Sequence, residues 1–349
     1  MKDKIIIFGA NGFVGSAIAE SMNSKNDLKC IIRNKNSCSF ISNLGIKTTI
    51  CNSLDYEETL SVIDESSIVI NCINGDYDTL VNSTTNIANA CVNKKAKKLI
   101  HISSTDVYGN LKGIINENSK MVGDRGDYSK AKIHSEKFLN SLKDKLQIII
   151  LRPGIIYGKG STLWTNRIIE RKLNGFNLPY KAEITQCNLT YINDLVNSII
   201  SACEYEDNNI TCNIISDDQI TWKEYYNFYD IGTYHNKIKF KNNFNLRFIV
   251  LLQAPIRFIA KPILKYLRFL VNIMYQKNKY SNTLLKSTQS GLKANPDINE
   301  LSLLITQAKY SNLNSKKELN MKYTAFDAGL KETEIWIRQS NLVQALFQL

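Results

Sequence analysis

The sequence contains little of what metal centres and disulfide scaffolds require. It has only three histidines among 349 residues, His101, His134 and His235, and their separations do not match metal-ligand spacing. Its eight cysteines are scattered, and none forms a Cys-x-x-Cys pair. We therefore expect no metal site, no disulfide framework and a reducing, cytoplasmic environment.

A long apolar run and a leader segment are also missing. The longest charge-free apolar run near the middle, residues 248–256, is too short to span a bilayer. Three residues precede the first strand-like run, which leaves no room for a signal peptide. We expect a cytoplasmic protein, with contact at the inner membrane surface as an additional hypothesis.

One segment lacks carboxylates altogether. Residues 231–296 contain no Asp or Glu but twelve Lys and Arg residues, which equals the formal net charge of +12. Because the positive charge is confined to one segment, it predicts a local anionic partner. The segment has no recognised nucleic-acid-binding motif. We therefore expect no binding to nucleic acid.

The middle of this basic segment has helical spacing. Four cations recur at steps of four, four and three residues: Arg257, Lys261, Lys265 and Arg268. Pro262 predicts that the helix starts near it, because proline is favoured in the first turn of a helix. A basic amphipathic segment over 241–293 could contact a membrane surface through 255–275, or its apolar side could pack on the sheet.

A glycine-rich turn near the N-terminus is the strongest positive signal. Gly9, Gly12 and Gly15 follow the apolar run 4–8 and precede a helix-like run. The first glycine allows a tight turn, the second lets phosphates approach the backbone, and the third lets helix and strand pack closely. The pattern predicts a dinucleotide site, in which the N–H groups of Phe13 and Val14 meet the pyrophosphate.

Arg33 ends the second predicted strand, 24 residues after Gly9. An acidic residue near this position would bind the ribose 2′-hydroxyl of NAD, whereas a guanidinium can bind a 2′-phosphate. Arg33 therefore favours NADP. In the alternative, it stacks on adenine and NAD binds.

Tyr128 and Lys132 lie four residues apart in a helix-like run, so they share one helical face. The ammonium could lower the pKa of the phenol, which must lose its proton near pH 7 if it is to act as a base. Ser104, after the fifth predicted strand, could bind the substrate oxygen. An exposed helix pair is the alternative interpretation of Tyr128 and Lys132.

Strand-like and helix-like runs alternate from residue 4 to about residue 151. This alternation predicts an α/β fold with a doubly wound parallel sheet. We expect a dinucleotide-binding domain over 1–158, with a returning segment near 186–215. Residues 159–349 are expected to form mainly a smaller C-terminal substrate-binding region. Arg167, Arg171 and Lys172 are candidates there to hold a diphosphate, and the alternative is that they are solvated helix charges.

The motifs together resemble the extended short-chain dehydrogenase/reductase family, the NAD(P)-dependent epimerase/dehydratase group. The resemblance rests on the glycine turn, residues 103–109 (SSTDVYG), Tyr128-x-x-x-Lys132, and residues 151–158 (LRPGIIYG), with a weaker late element at 191–196. It implies a Rossmann-type fold and makes Ser104, Tyr128 and Lys132 catalytic. The cofactor contacts it implies, together with the residues already discussed, are Gly9, Asn11, Gly12, Phe13, Val14, Gly15, Arg33, Asn52, Ser53, Ile73, Tyr128, Lys132 and Pro153.

The resemblance implies hydride transfer at a carbon of a nucleotide-linked sugar, as in surface polysaccharide biosynthesis. Dehydratases typically carry an Asp-Glu pair directly after the catalytic residue, and here Asp106 is the single carboxylate near Ser104. Epimerase or reductase is therefore favoured over dehydratase. A reductase of a lipid-like carbonyl and a non-catalytic scaffold are alternatives, and a homodimer is a further hypothesis.

Overall fold

A computed structural model describes residues 4–23, 27–34, 41, 44–229, 236–266 and 293–340, with the backbone alone for 256 and 258–266. The chain divides into two compact units. The first unit comprises Met1–Ser161, Asn188–Gln219 and Ala308–Thr333. The second comprises Thr162–Cys187, Ile220–Gln307 and Glu334–Leu349.

The strands are short and mostly buried. They are β1 (Lys4–Phe8), β2 (Asp27–Ile32), β3 (Thr48–Ile50), β4 (Ile68–Asn71), β5 (Lys98–Ile102), β6 (Gly113–Ile115), β7 (Gln147–Pro153), β8 (Ile155–Tyr157), β9 (Phe176–Pro179), β10 (Leu189–Tyr191), β11 (Ile210–Ile214), β12 (Ile238–Lys241) and β13 (Ala308–Tyr310).

The described α-helices lie in both units, and in the first unit they alternate with the strands. They are α1 (Phe13–Met22), α2 (Tyr56–Val62), α3 (Tyr77–Asn93), α4 (Asp127–Asn140), α5 (Arg167–Asn174), α6 (Ile192–Glu204), α7 (Trp222–Phe228), α8 (Asn243–Tyr266), α9 (Ile298–Ile305), α10 (Leu313–Glu318) and α11 (Phe326–Gln339).

Seven strands form one sheet in the order β11-β7-β5-β4-β1-β2-β3, and every neighbouring pair is parallel. The predicted doubly wound parallel sheet is confirmed. The strand order reverses between β1 and β4, and ligands of such sheets bind at the carboxyl ends of the strands beside this point. The fold therefore directs attention to the residues that follow β1, β4 and β5.

The sheet has an apolar core on each face, because successive strand residues point to opposite sides. On one side Ile5, Ile7 and Ile70 pack with residues of α1 and α6. On the other side Ile6 and Val69 pack with residues of α3. Strands buried on both faces explain the nearly continuous apolar runs of the sequence.

One helix start differs from the sequence prediction. The helix predicted near Pro262 begins at Asn243, because the side chain of Asn242 accepts a hydrogen bond from the Phe244 N–H at 2.9 Å and caps the first turn. The helix then runs through Pro255 and Pro262. Proline permits a helix start but does not require one, and we overlooked the asparagine cap.

Lys98 lies within the sheet with its side chain fully buried. Its ammonium donates hydrogen bonds to the carbonyl oxygens of Cys203 at 2.8 Å and Ala202 at 3.4 Å, at the carboxyl end of α6. A cation at this end of a helix satisfies carbonyls that have no partner within the helix.

We expect Lys98→Met to lower the free energy of unfolding by about 2 to 3 kcal/mol, because buried carbonyls lose a charged donor. Urea denaturation measures this loss. The matched control is Lys97→Met, which removes a partly exposed ion pair with Glu206 and should cost less than about 1 kcal/mol. Equal losses for the two variants would contradict the capping role.

Candidate active site

The glycine turn follows β1 at the point where the strand order reverses. Gly9 has a φ of +76°, a conformation that glycine adopts without strain. A Cβ at position 15 would lie only 2.3 Å from the Gly9 carbonyl oxygen, so α1 can approach the strand only if residue 15 lacks a side chain. A Cβ at Gly12 would lie 3.2 Å from the same oxygen.

The first turn of α1 fits an anionic ligand. Gly12 precedes the helix without a side-chain cap, and the first turn contains no acidic residue. The N–H groups at a helix start have no partner within the helix, and the helix dipole there favours negative charge. Asn11 and Gly12 are exposed beside them. The residues present therefore fit the diphosphate of a dinucleotide.

Arg33 lies beside this turn. The Ala10 N–H donates to the Ile31 carbonyl at 3.3 Å, which joins the turn to the end of β2, and Arg33 is exposed two residues later. Its side chain is therefore accessible to a ligand at the turn.

The predicted adenine-side residues make local contacts at the ends of β3 and β4. The side chain of Asn52 accepts from the Leu54 N–H at 3.3 Å, and the hydroxyls of Ser53 and Ser83 lie 2.9 Å apart. Ile73 donates its N–H to the Asn71 side chain at 3.1 Å. Their contacts with a cofactor stay a prediction.

Three predicted catalytic residues come together in the first unit. The hydroxyl of Ser104 lies close enough to Tyr128 to lower the pKa of its phenol, and the Ser104 oxygen accepts from the Asp106 N–H at 3.1 Å. Lys132 lies one turn further along α4, with its Nζ 5.8 Å from the centre of the Tyr128 ring. That Nζ donates to the Ile102 carbonyl at 2.7 Å, at the end of β5. Pro153 ends the neighbouring strand β7.

Burial controls the protonation of this group. Burial of the Tyr128 hydroxyl, with a further contribution from the Asp106 carboxylate, raises its pKa to about 12, although 39% of the side chain is exposed. Burial lowers the pKa of Lys132 to about 8. Burial, and then the charge of Lys132, hold the pKa of His101 well below its ordinary value. The sequence argument expected a lowered pKa for Tyr128, but desolvation dominates here, and the Lys132 ammonium donates to the Ile102 carbonyl.

We expect Lys132→Met to raise the free energy of unfolding at pH 7 by about 2 kcal/mol. Removing an ammonium whose folded pKa is lowered to about 8 gains about 3 kcal/mol, and losing the bond to Ile102 costs about 1 kcal/mol. Between pH 8 and the ordinary pKa of 10.5, the unfolded chain binds more protons at this residue, so the wild-type protein should gain stability relative to the variant.

Urea denaturation of both proteins across this pH range measures the effect. Lys130→Met, at an exposed position of the same helix, should leave the pH dependence unchanged. A Lys132→Met protein that is less stable at pH 7, with a pH profile parallel to wild type, would show that the ammonium is not destabilised by burial.

An ion pair that the sequence analysis missed joins the Ser104 turn to the start of α4. Arg125, which is 4% exposed, donates to the Asp106 carboxylate at 3.1 Å and to the Asn110 side chain at 3.2 Å. Burial raises the pKa of Asp106, and the cation of Arg125 opposes that shift. Because Arg125 precedes Tyr128 by three residues, this pair helps to set the spacing between Ser104 and Tyr128.

A second missed network lies beneath the site. Glu136, fully buried, accepts from Arg152 at 2.9 Å and 3.2 Å and from the hydroxyl of Ser103. Arg152 also donates to the Tyr108 hydroxyl at 2.7 Å. One signal was present, because Glu136 continues the four-residue spacing of Tyr128 and Lys132 along one face of α4.

Two candidate diphosphate ligands in the second unit are already engaged. Arg171 is buried and donates to Glu300 at 2.6 Å and 2.8 Å and to the Tyr226 hydroxyl at 2.7 Å. Lys172 is buried and donates to the Asn227 carbonyl at 3.2 Å. Both predictions are therefore corrected, because these cations hold α5 to its neighbours in the core of the unit. Arg167 alone stays a candidate.

The sheet order, the glycine turn at the switch point and the neighbouring side chains of Ser104, Tyr128 and Lys132 at the ends of the strands are typical of a dinucleotide-binding α/β protein. Residues 5–214 match the model of the NAD dependent epimerase/dehydratase family. The chain belongs to this family.

The curated relatives include an epimerase and a dehydratase, the two activities in the family's name. The chain is 29% identical over 230 residues to a UDP-glucose 4-epimerase of Vibrio cholerae, a match covering 59% of this chain and 68% of that protein. It is 28% identical over 238 residues to a dTDP-D-glucose 4,6-dehydratase of Dictyostelium discoideum. That match covers 56% of this chain and 54% of the dehydratase, about half its length.

Solved structures share the fold at low identity. A UDP-glucose 4-epimerase of Thermotoga maritima, solved with UDP-glucose, matches with a TM-score of 0.71 at 15% identity, covering 97% of this chain and 99% of that one. A UDP-glucuronic acid 4-epimerase of Bacillus cereus, solved with NAD, matches with a TM-score of 0.68 at 18% identity, covering 99% of both chains.

Proposed function

We propose that this chain is an epimerase-type enzyme that transfers hydride at a carbon of a nucleotide-linked sugar, with Tyr128 as the acid and base. The observation that carries the proposal is the joining of Ser104, Tyr128 and Lys132 at the carboxyl end of β5. The nucleotide sugars named for the relatives agree with this substrate class.

Each residue has a separate role in this proposal. Ser104 orients the sugar hydroxyl and the Tyr128 phenol through hydrogen bonds. Tyr128 accepts the proton of that hydroxyl and later returns it. Lys132 holds the cofactor ribose and stabilises the phenolate. NAD or NADP, when bound, supplies the hydride acceptor and a positive charge.

Because the pKa of Tyr128 is raised, Lys132 must stabilise the phenolate before Tyr128 can act as a base. The neutral phenol can donate a proton but must be activated before it accepts one. An ammonium about 4 Å away, in a medium of dielectric about 20, contributes about 4 kcal/mol, or about 3 pKa units. Lys132 would exchange its bond to the Ile102 carbonyl for a position nearer the phenol oxygen.

Asp106 supports epimerisation over dehydration. It is the single carboxylate next to Ser104 in the motif, and it is held by the buried guanidinium of Arg125. A carboxylate held in an ion pair with a buried guanidinium is not free to reach the substrate for a second proton transfer. The second candidate function is a reductase. Arg33 favours it because a reductase uses NADPH, and a reductase also needs no second acid.

We propose that Arg33 makes NADP the preferred dinucleotide, since its guanidinium is accessible beside the glycine turn. Arg33→Ala should weaken NADPH binding about tenfold and NADH binding much less, because only NADPH carries the 2′-phosphate. Titration of the purified protein with each dinucleotide measures both affinities. Equal losses would assign Arg33 to adenine stacking, and NAD would then be the cofactor.

Native mass spectrometry of the full-length protein separates the two candidate reactions. An epimerase that returns its hydride should retain bound dinucleotide through purification. A protein that carries none, and that binds NADPH more tightly than NADH in titration, would favour the reductase. The assignment of the second unit to substrate binding, and of the protein to a homodimer in the cytoplasm, belongs to the same proposal.

A further inference from the structure

Helix α8 has apolar residues on two opposite sides. Leu246 and Val250 are buried and pack with Leu301 of α9, which attaches the helix to the second unit. Four other apolar side chains are exposed: Phe244 at 77%, and Phe248, Leu251 and Leu252 at 58% each. The core contact of the helix is therefore made without them.

The four exposed side chains form one patch, which we call the α8 face. At about 100° per residue they cover about 100° of the helix circumference, opposite Leu246 and Val250. Single exposed apolar residues are ordinary, but a contiguous group marks an interaction surface.

The charge of the sequence segment that contains the α8 face indicates the partner. Residues 231–296 contain no acidic residue and twelve basic ones. Among the described residues, Lys237 and Lys239 before the helix and Arg247 within it are exposed. A second copy docked symmetrically on this face would bring like charges together. An extended nucleic-acid backbone would use the cations but not four apolar side chains.

An anionic lipid surface satisfies both features. An interfacial helix places apolar side chains among the acyl chains while nearby cations bind acidic headgroups. Among the described residues, no helix has the length and apolar character to cross the bilayer. We propose that the α8 face, with Lys237, Lys239 and Arg247, seats this protein reversibly on an anionic membrane surface, whatever reaction the first unit performs.

The proposed surface precedes most of the segment predicted from the sequence. Contact through 255–275 rested on a stripe that begins at Arg257, but Arg257 is half-buried and donates to the Asn295 carbonyl at 2.8 Å. Most side chains of 255–275 lie outside the described residues. The apolar part of the proposed membrane contact is thus assigned to the first three turns of α8.

Flotation of the full-length protein with lipid vesicles tests the proposal. Wild type should float with phosphatidylcholine–phosphatidylglycerol vesicles at low salt, and not with phosphatidylcholine alone. Replacing the four residues of the α8 face by serine should weaken binding at least about tenfold. Lys237→Gln/Lys239→Gln/Arg247→Gln should weaken it to a similar extent. Ile114→Ser/Leu313→Ser, at exposed apolar positions of the first unit, is the matched control and should bind as wild type does.

Three results would overturn the proposal. One is no flotation of wild type with anionic vesicles. Another is unchanged flotation of the serine variant, which would leave the cations alone as the binding group. The third is a wild-type dimer, measured without lipid, that the serine variant converts to monomer. Circular dichroism checks that each variant is folded; should the four-residue serine variant unfold, Phe244→Ser and Phe248→Ser made one at a time test the apolar contact, and unchanged flotation of both would overturn the proposal.

Discussion

Replacing Tyr128 by phenylalanine is expected to lower kcat about 10³-fold on the true nucleotide-sugar substrate. General acid–base catalysis by a positioned side chain contributes about 10² to 10⁴ to a rate, and the hydroxyl is the atom that Tyr128→Phe removes. Steady-state turnover, measured by chromatographic separation of the sugar epimers, gives the ratio. KM should change little, since the ring stays in place.

The fold should not change in this variant. Tyr128 is 39% exposed, and phenylalanine keeps its ring, so the variant opens no cavity in the core. Tyr56→Phe is the matched control, because its hydroxyl accepts a bond from Asn93 at 3.2 Å in an exposed setting. It should retain wild-type kcat. Turnover by Tyr128→Phe within about twofold of wild type would remove Tyr128 from the chemistry.

The largest expected effect on stability comes from Arg152→Met. This change leaves the fully buried carboxylate of Glu136 with the Ser103 hydroxyl but without its cation. Breaking a buried pair from one side typically costs about 3 to 5 kcal/mol, because the remaining charge stays desolvated. Urea denaturation should show a loss of that size.

The double variant Arg152→Met/Glu136→Leu should recover most of the loss, since it removes both charges. Lys159→Met, which breaks an exposed pair with Glu20 at 3.1 Å, is the surface control and should cost less than about 1 kcal/mol. If Arg152→Met cost no more than this control, the network would not support the site as we describe it.

Periodicity and glycine spacing were enough to predict the sheet. The apolar runs that begin at Lys4, Leu28 and Lys98 form parallel strands, because strands covered on both faces carry little besides apolar residues. Gly9 and Gly15 were identifiable since the tight turn and the close helix approach leave no space for a side chain. Such local steric requirements can be predicted from a sequence.

Ion pairs between residues that are far apart in the sequence were not predictable. Arg125 pairs with Asp106, which lies nineteen residues earlier in the sequence, and Arg171 pairs with Glu300, which lies 129 residues later. Nothing in the spacing distinguishes these arginines from solvated helix charges. Arg171 and Lys172 were wrong candidates for a diphosphate for this reason.

Local signals also competed in the basic segment. Pro262 and Asn242 both fit a helix start, and the structure begins α8 at the asparagine cap. The stripe of cations drew attention to residues after 255, whereas the described exposed apolar face lies before them. Helical spacing identifies which residues share a side but not which side the core covers.

The central claim is that the glycine turn and the Ser104–Tyr128–Lys132 group form one site for oxidising a nucleotide-linked sugar. The most direct measurement adds UDP- and dTDP-linked sugars to the dinucleotide-loaded full-length protein and follows the near-ultraviolet absorbance of reduced nicotinamide. We predict that at least one sugar produces this absorbance with wild type and that none does with Tyr128→Phe. Saturating dinucleotide binding with no reduction by any sugar of the panel would contradict the claim.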